Sequence, residues 1–408
     1  MCATIKEIYR EAMNRIQNVH VTCFKDTEQP LFLISEQYPG LWLEHVYDSV
    51  MLATLEPAYM PVAKNAINLF IDWQKDSGQI PFAVMDRAKR PNLAKNEIAK
   101  YSQIQECVSF FSLALEVYEM RKDMAFLKKV YDAGKKWDNW LRTYRMTTRR
   151  GLVEMFVGYD TGHDNSGRLE GIGCKGNYSI DGVSQTADKL PPEDGITPIL
   201  AVDMNCNFYG NEKALARMAH ILGKEEEALA WEESAAEIKK NLFAHCYDEA
   251  DAFFYDVDKC GNQRMYKSST IFHLFLERVL DKEDDKDLIA RIYKEHIKNP
   301  EEFWTPYPFP SMAINDPSVK GHKEFNCWGY YTQGLIVLRC TRWMDYYGFS
   351  KDLDCILEKW ITAWTEHYDS IKLAQEIDPI TGMPTRSSEW YSSCMLNYIY
   401  GARRLGLV

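Results

Sequence analysis

The chain has 408 residues, 46% of them hydrophobic and 26% charged, and a net charge of −11. That balance lacks the basic footprint of a nucleic-acid or anionic-membrane binder. No apolar run approaches the ~18–20 residues of a membrane span, and the charged stretch Met1–Glu11 lacks the apolar core of a secretory leader.

Taken in chain order, apolar residues recur at three- and four-residue spacing, which predicts helices over 2–18, 46–56, 60–75, 99–121, 124–145, 200–222, 225–243, 268–279, 285–297, 328–347, 352–368 and 389–405. Ala214, Met218, Ile221 and Leu222 illustrate the pattern. The links before the second, fourth, sixth, eighth, tenth and twelfth helices are long and the others short. Short links make antiparallel neighbours, and long ones carry function. About six such hairpins predict an all-α closed ring of inner and outer helices, with a site at the end where the long loops gather. One strand signal falls at 252–257. No linker interrupts the rhythm, so a single domain over 1–408 is expected. The hairpin spacing drifts, unlike the fixed period of a consensus solenoid. The eleven cysteines are scattered, without Cys-x-x-Cys, as expected of reduced, mostly buried thiols in a cytoplasmic protein.

Several chemistries have no sequence support. There is no His-Glu-x-x-His, zinc spacing, Gly-x-Ser-x-Gly elbow, P-loop or dinucleotide fingerprint, so no cofactor is implied. The remaining candidates are carboxylates and aromatics in two long loops. One is Gly158–Arg168, which contains Asp160, Asp164 and Asn165. The other is Gln375–Pro384, followed by Ser388-Glu389-Trp390-Tyr391. Each is turn chemistry in its own right, with Asp or Asn bonding its own backbone. Asp160, Asp164 and Asn165 also loosely suggest a calcium loop, without the required spacing. Both loops fall on the side where the long connections gather. Two carboxylates facing each other across a pocket can split a glycosidic bond, one protonating the leaving oxygen and the other activating water. Trp42, Trp304, Tyr307, Trp328 and Trp390 lie in or beside long loops, where flat aromatic faces suit a pyranose. Trp73, Trp137, Trp140, Trp231, Trp343, Trp360 and Trp364 fall within helices and are expected to be packing residues.

At these residues the chain resembles the clan G glycosidases, among them glycoside hydrolase family 63 and the family 37 trehalases. Family 63 includes processing α-glucosidases and mannosylglycerate or glucosylglycerate hydrolases. The resemblance runs from about Leu43 to Leu407. It is carried by Tyr47-Asp48-Ser49, by Gln74 with Gly78-Gln79-Ile80-Pro81, by Gly162-His163-Asp164-Asn165-Ser166-Gly167-Arg168, by Trp328-Gly329, and by Glu376-Ile377-Asp378-Pro379-Ile380-Thr381-Gly382. Three departures stand out: Gly167 for the usual Pro, Tyr47 for the usual Trp, and Gln103-Ile104-Gln105-Glu106 where relatives often have Pro-Pro.

The resemblance implies an (α/α)6 toroid and an inverting exo-glycosidase acting on a small α-glucoside or α-mannoside. Asp164 is the implied general acid and Glu376 the implied general base, with Glu389 a rival base. The implied substrate-binding residues are Trp42, Tyr47, Asp48, Gln79, Arg168, Trp304, Trp328, Gly329 and Trp390. Two of these have structural alternatives, a salt bridge for Arg168 and a helix N-cap for Asp48. The implied partner is a small carbohydrate, with neither nucleic acid nor membrane. The chain is near the size of a bare barrel, so a blind-ended pocket is expected, with Gly176–Pro198 as a lid or an ordinary loop. Rival readings are a sugar epimerase using His163 and His322, and a non-catalytic sugar-binding barrel.

Overall fold

The computed structural model describes residues 3–163, 166–169, 198–319, 328–385 and 387–408. Twelve α-helices occur among them: α1 Ile5–Arg15, α2 Val46–Leu55, α3 Met60–Asp72, α4 Phe110–Arg121, α5 Met124–Tyr144, α6 Val202–Ile221, α7 Glu225–His245, α8 His273–Leu276, α9 Lys286–Ile292, α10 Gly334–Cys340, α11 Ser350–Glu366 and α12 Ser392–Arg404. Local chemistry sets several boundaries. Thr4 and Glu7 form a reciprocal capping box that starts α1. Lys122, in the left-handed region at φ 57°, ends α4, and the Asp123 carboxylate accepts from Phe126 N to start α5. That two-residue turn makes α4 and α5 an antiparallel hairpin.

The even-numbered helices form the inner ring of an (α/α)6 toroid. α12 packs on α2, α2 on α4, α4 on α6, α6 on α8, and α10 on α12. The remaining gap is closed by Trp343, just after α10, whose ring lies 5.1 Å from Phe275 of α8. The inner helices are buried nearly all round: in α2 every residue from Val46 to Ala53 is buried. The outer helices show one apolar stripe. In α5, Phe126, Leu127, Val130, Tyr131, Trp137, Trp140 and Leu141 face inward. α1 packs on α12 and so completes the sixth hairpin between the two ends of the chain. Trp137 and Trp140 stack at 5.0 Å in the core, and Trp343, Trp360 and Trp364 are fully buried, as expected of packing residues.

The long loops carry short antiparallel strands: β1 Val21–Cys23 with β2 Pro30–Phe32, β3 Gly40–Trp42 with β4 Ala83–Met85 and β5 Ala99–Lys100, β6 Tyr247–Asp248 with β7 Phe253–Phe254, and β8 Thr332–Gln333 with β9 Glu376–Ile377. The structure departs from the sequence-based elements in four places. The helix expected from 99 starts at Phe110, because Ala99 and Lys100 pair with β4 and Gln105 adopts a left-handed φ of 51°. The helix expected over 328–347 is regular only over Gly334–Cys340, since Thr332 and Gln333 pair with Ile377 and Glu376. The helix expected over 268–279 shrinks to α8 after a 3-10 turn at Ser269–Phe272. The 252–257 strand is real but short, Phe253–Phe254. No helix among the described residues is long and apolar enough to cross a membrane. The described cysteines are free thiols.

Candidate active site

A cavity of about 310 Å³ is lined by Tyr38, Trp42, Glu44, His45, Gln105, Tyr159, Gly162, Trp328, Gln375, Glu376 and Tyr391. These side chains come from loops joining five different hairpins, so the ring gathers what the chain disperses. Glu376 sits on β9, which is held in register by Gln333↔Glu376 pairing across β8. Its Oε2 accepts from Thr385 Oγ1 at 3.1 Å, and it is 6% exposed. Burial raises its pKa, and bonds from Gln333 and Thr385 oppose the rise. The turn that follows is built by Asp378, whose Oδ1 accepts from Ile380 N and Thr381 N. Gly382 closes it at φ +72°, where a Cβ would lie 2.5 Å from the Tyr307 ring.

The loop that bears Asp164 is anchored on its N-terminal side by Asp160. Asp160 Oδ2 accepts from Arg145 Nη1 at 2.6 Å and from the amides of Phe156 and Val157, and its Oδ1 accepts from Ile104 N. The protein's own donors therefore occupy the carboxylate that the calcium reading invoked. Gly162 then turns at φ +71°, with its absent Cβ position 2.2 Å from Cys107 Sγ and 2.9 Å from Glu44 Oε2. Asp164 and Asn165 lie outside the described residues, as do His322 and the expected lid except Pro198.

Glu44 is the second carboxylate of the cavity wall. It is buried, pairs with Arg339 Nη2 at 3.2 Å and accepts from Gln105 Nε2 at 3.1 Å. Burial raises its pKa, opposed by Arg339 and Gln105. His45 Nε2 lies 2.6 Å from the Tyr391 hydroxyl, and burial holds this imidazole neutral, well below its usual pKa. Tyr38 completes an aromatic corner, 5.2 Å from Trp42 and 5.9 Å from Tyr391 by ring centroids.

A family model for the mannosylglycerate hydrolase MGH1-like glycoside hydrolase domain matches residues 39–328. The chain belongs to this family of glycoside hydrolases. Its fold also resembles that of a family 63 mannosylglycerate hydrolase from Thermus thermophilus, solved with glucose (16% identity, TM-score 0.73, covering 96% of this chain and 99% of that one). A neutral trehalase from Saccharomyces cerevisiae is similar at 15% identity and TM-score 0.67, over 93% of this chain and 75% of that one. An uncharacterised protein of Borreliella burgdorferi is 28% identical over 267 residues, 65% of this chain. That match spans 47% of the Borreliella protein, about half its length.

Of the site residues expected for this glycoside hydrolase, Glu376, Trp42 and Trp328 meet at the cavity. The others within the described residues do not line it. Asp48 lies one turn deeper on α2, where its Oδ2 accepts from the hydroxyls of Ser392 and Ser393 and so ties α2 to the start of α12. The Tyr47 hydroxyl donates to Leu338 O. Gln79 Nε2 donates to Tyr101 O, and its Oε1 accepts from Lys75 Nζ. Arg168 is buried between Asp203 (2.8 Å) and Asp256 (2.9 Å), so the salt-bridge alternative describes its contacts. Trp304 packs on Phe309, and Lys298 and Lys359 lie over its ring. Trp390 packs on Tyr368 under Arg15, and Gly329 O accepts from Met312 N. The rival base Glu389 is exposed and accepts from Lys372 N.

Sequence reasoning missed Glu44, His45, Tyr38, Gln105, Tyr159, Gln375 and Tyr391. A signal for Glu44 existed: it is the acid nearest the loop end of an inner helix, and such positions face the mouth of the ring.

Proposed function

We propose that this chain is an inverting, exo-acting hydrolase of a small α-glucoside or α-mannoside, with Asp164 as general acid and Glu376 as general base, on one catalytic domain over 1–408. The observation that carries the reading is a shared cavity: its lining includes both Glu376 and Gly162, two residues before Asp164 in the chain.

An inverting reaction needs a carboxylate that takes a proton from water on one face of the sugar and an acid that protonates the leaving oxygen on the other. Glu376 has the character of such a base. It is largely buried, and its donors Gln333 and Thr385 are neutral side chains rather than a neutralising cation. Trp42, Trp328 and the Tyr38–Tyr391 corner offer apolar faces to a pyranose, while Glu44 and Gln105 offer hydroxyl partners. Under this reading Glu44 takes the sugar-holding role expected of Asp48, whose Oδ2 accepts from two serines. The cavity lies at the low end of the ~300–1,000 Å³ range of ligand pockets, which suits a short glycoside.

Glu376→Gln and Asp164→Asn test the assignment. Each should fold normally, keep sugar binding by calorimetry and lose at least ~10²-fold in turnover. Turnover near wild type in either variant would remove that residue from the mechanism.

A further inference from the structure

A second cluster of chemistry-bearing side chains lies beside the sugar cavity and takes no part in the reaction proposed above. One ligand atom each from His163, Asp203 and His273 lies within 4.8 Å of the others, and all three residues are buried. The cluster joins three separate elements: the loop entering residue 164, the first turn of α6, and the start of α8.

Asp203 accepts from Arg168 and from Met204 N, so an ion would share its carboxylate with these donors. His163 Nδ1 and Asp203 Oδ2 are 3.4 Å apart. That separation matches two ligands ~2.0–2.2 Å from a tetrahedral ion, and the spread of up to 4.8 Å across the three ligand atoms would close as the ion binds. The His163 and His273 rings meet edge-on at 69° instead of stacking parallel. Asn207 Nδ2 donates to Glu106 O, which turns Asn207 Oδ1 toward His273 Nδ1 at 3.3 Å. His273 therefore carries its hydrogen on Nδ1 and keeps the Nε2 lone pair, the outer-shell arrangement typical of ligating histidines. Asp203 is likewise oriented by Arg168, which Asp256 also binds. A void of about 10 Å³ beside both rings, lined also by Ser269 and Arg339 and by the apolar Phe272, Leu276, Ile336 and Trp343, is near the size of one water. The nearby cations are matched, Arg168 by two carboxylates and Arg339 by Glu44.

We propose that His163, Asp203 and His273 form a site for one divalent transition-metal ion, with a water in the adjoining void as the fourth ligand. The N2O donor set selects a borderline ion such as Zn²⁺ over Ca²⁺ or Mg²⁺. Its role is a cross-link. It fastens His163, whose ring stacks on Trp328 at 4.2 Å, to two inner helices.

The test is a titration of chelator-treated, full-length protein with Co²⁺, followed by displacement with Zn²⁺. The wild type should saturate at one equivalent with visible d–d absorption, lose that absorption on adding Zn²⁺, and gain thermal stability with either ion. His273→Ala and Asp203→Asn should abolish the signal, and Asn207→Leu should weaken binding ~10–100-fold. Absence of one-equivalent binding by the wild type would overturn the proposal, whatever the folding state of the variants. So would near-ultraviolet thiolate charge transfer, which would assign the ion to cysteine, or a Co²⁺ signal undiminished in folded His273→Ala.

Discussion

Arg168 gives the sharpest separation between a sugar-binding and a structural role. Its guanidinium is 2% exposed and bridges Asp203 and Asp256, with four N–H···O contacts of 2.8–3.2 Å. Arg168→Met fills much the same space but removes the guanidinium that bridges two buried carboxylates. Breaking a buried ion pair by removing one partner costs about 3–5 kcal/mol. The unfolding entropy of a domain of 408 residues is ~0.86 kcal/mol/K at ~2.1 cal/mol/K per residue, so the expected drop in Tm is about 4–6 °C. Burial and the neighbouring Asp203 push the Asp256 carboxyl up, and Arg168 is the largest influence holding it down. Without Arg168 it rises further, so protonation relieves the variant first. The deficit against wild type should therefore be largest at neutral pH and shrink as the pH falls toward 5. Differential scanning calorimetry of both proteins between pH 5 and 8 measures this. An unchanged Tm with a raised KM would refute the structural account and return Arg168 to the sugar.

Asp48 provides a second linkage effect. Its pKa is raised from 3.8 to about 6, first by burial and against the Ser392 and Ser393 bonds. A carboxyl raised in the folded state favours folding below pH 3.8, and that contribution is lost as the pH rises through about 6, a swing of about 3 kcal/mol. Asp48→Asn should retain activity and flatten urea-denaturation stability between pH 4 and 7, whereas a large loss of kcat with unchanged stability would make Asp48 a sugar ligand. Glu44→Gln also removes the buried partner of Arg339, so Tm should fall as well, but its distinguishing mark is a KM raised or a kcat/KM lowered by at least ~10-fold in folded protein; an unaffected kcat/KM would exclude Glu44 from the sugar site. Gly162→Ala combines a positive φ with a collision against Cys107 and Glu44. It should lower activity more than stability, as read by kcat/KM beside Tm. Burial of Glu376 predicts that the acid limb of kcat/KM lies above the usual Glu value of 4.5, with activity falling as the base is protonated below it. A limb at or below 4.5 would count against Glu376 as the base.

The helices were legible because their apolar periodicity is local, and the alternation of link lengths carried the ring. What the sequence left open was set by distant partners. Ala99 and Lys100 look helical in sequence, but they pair with β4. Arg168 stands in a loop motif, yet its partners Asp203 and Asp256 lie 35 and 88 residues away. Asp48 and Glu44 are one helical turn apart, and sequence spacing alone does not say which turn reaches the cavity. In the structure Glu44 lines the cavity, and Asp48 Oδ2 accepts from two serines of α12. Glu376 was readable for a local reason, since the Asp378–Gly382 turn that presents it is encoded next to it.

The most direct test of the central claim is a proton NMR time course of the wild-type protein with a panel of small α-glucosides and α-mannosides, including trehalose, kojibiose, glucosylglycerate and mannosylglycerate. The account predicts that one member is cleaved and that the β-anomer of the released sugar appears first, before mutarotation. The α-anomer appearing first would mean retention and would contradict the roles given to Asp164 and Glu376.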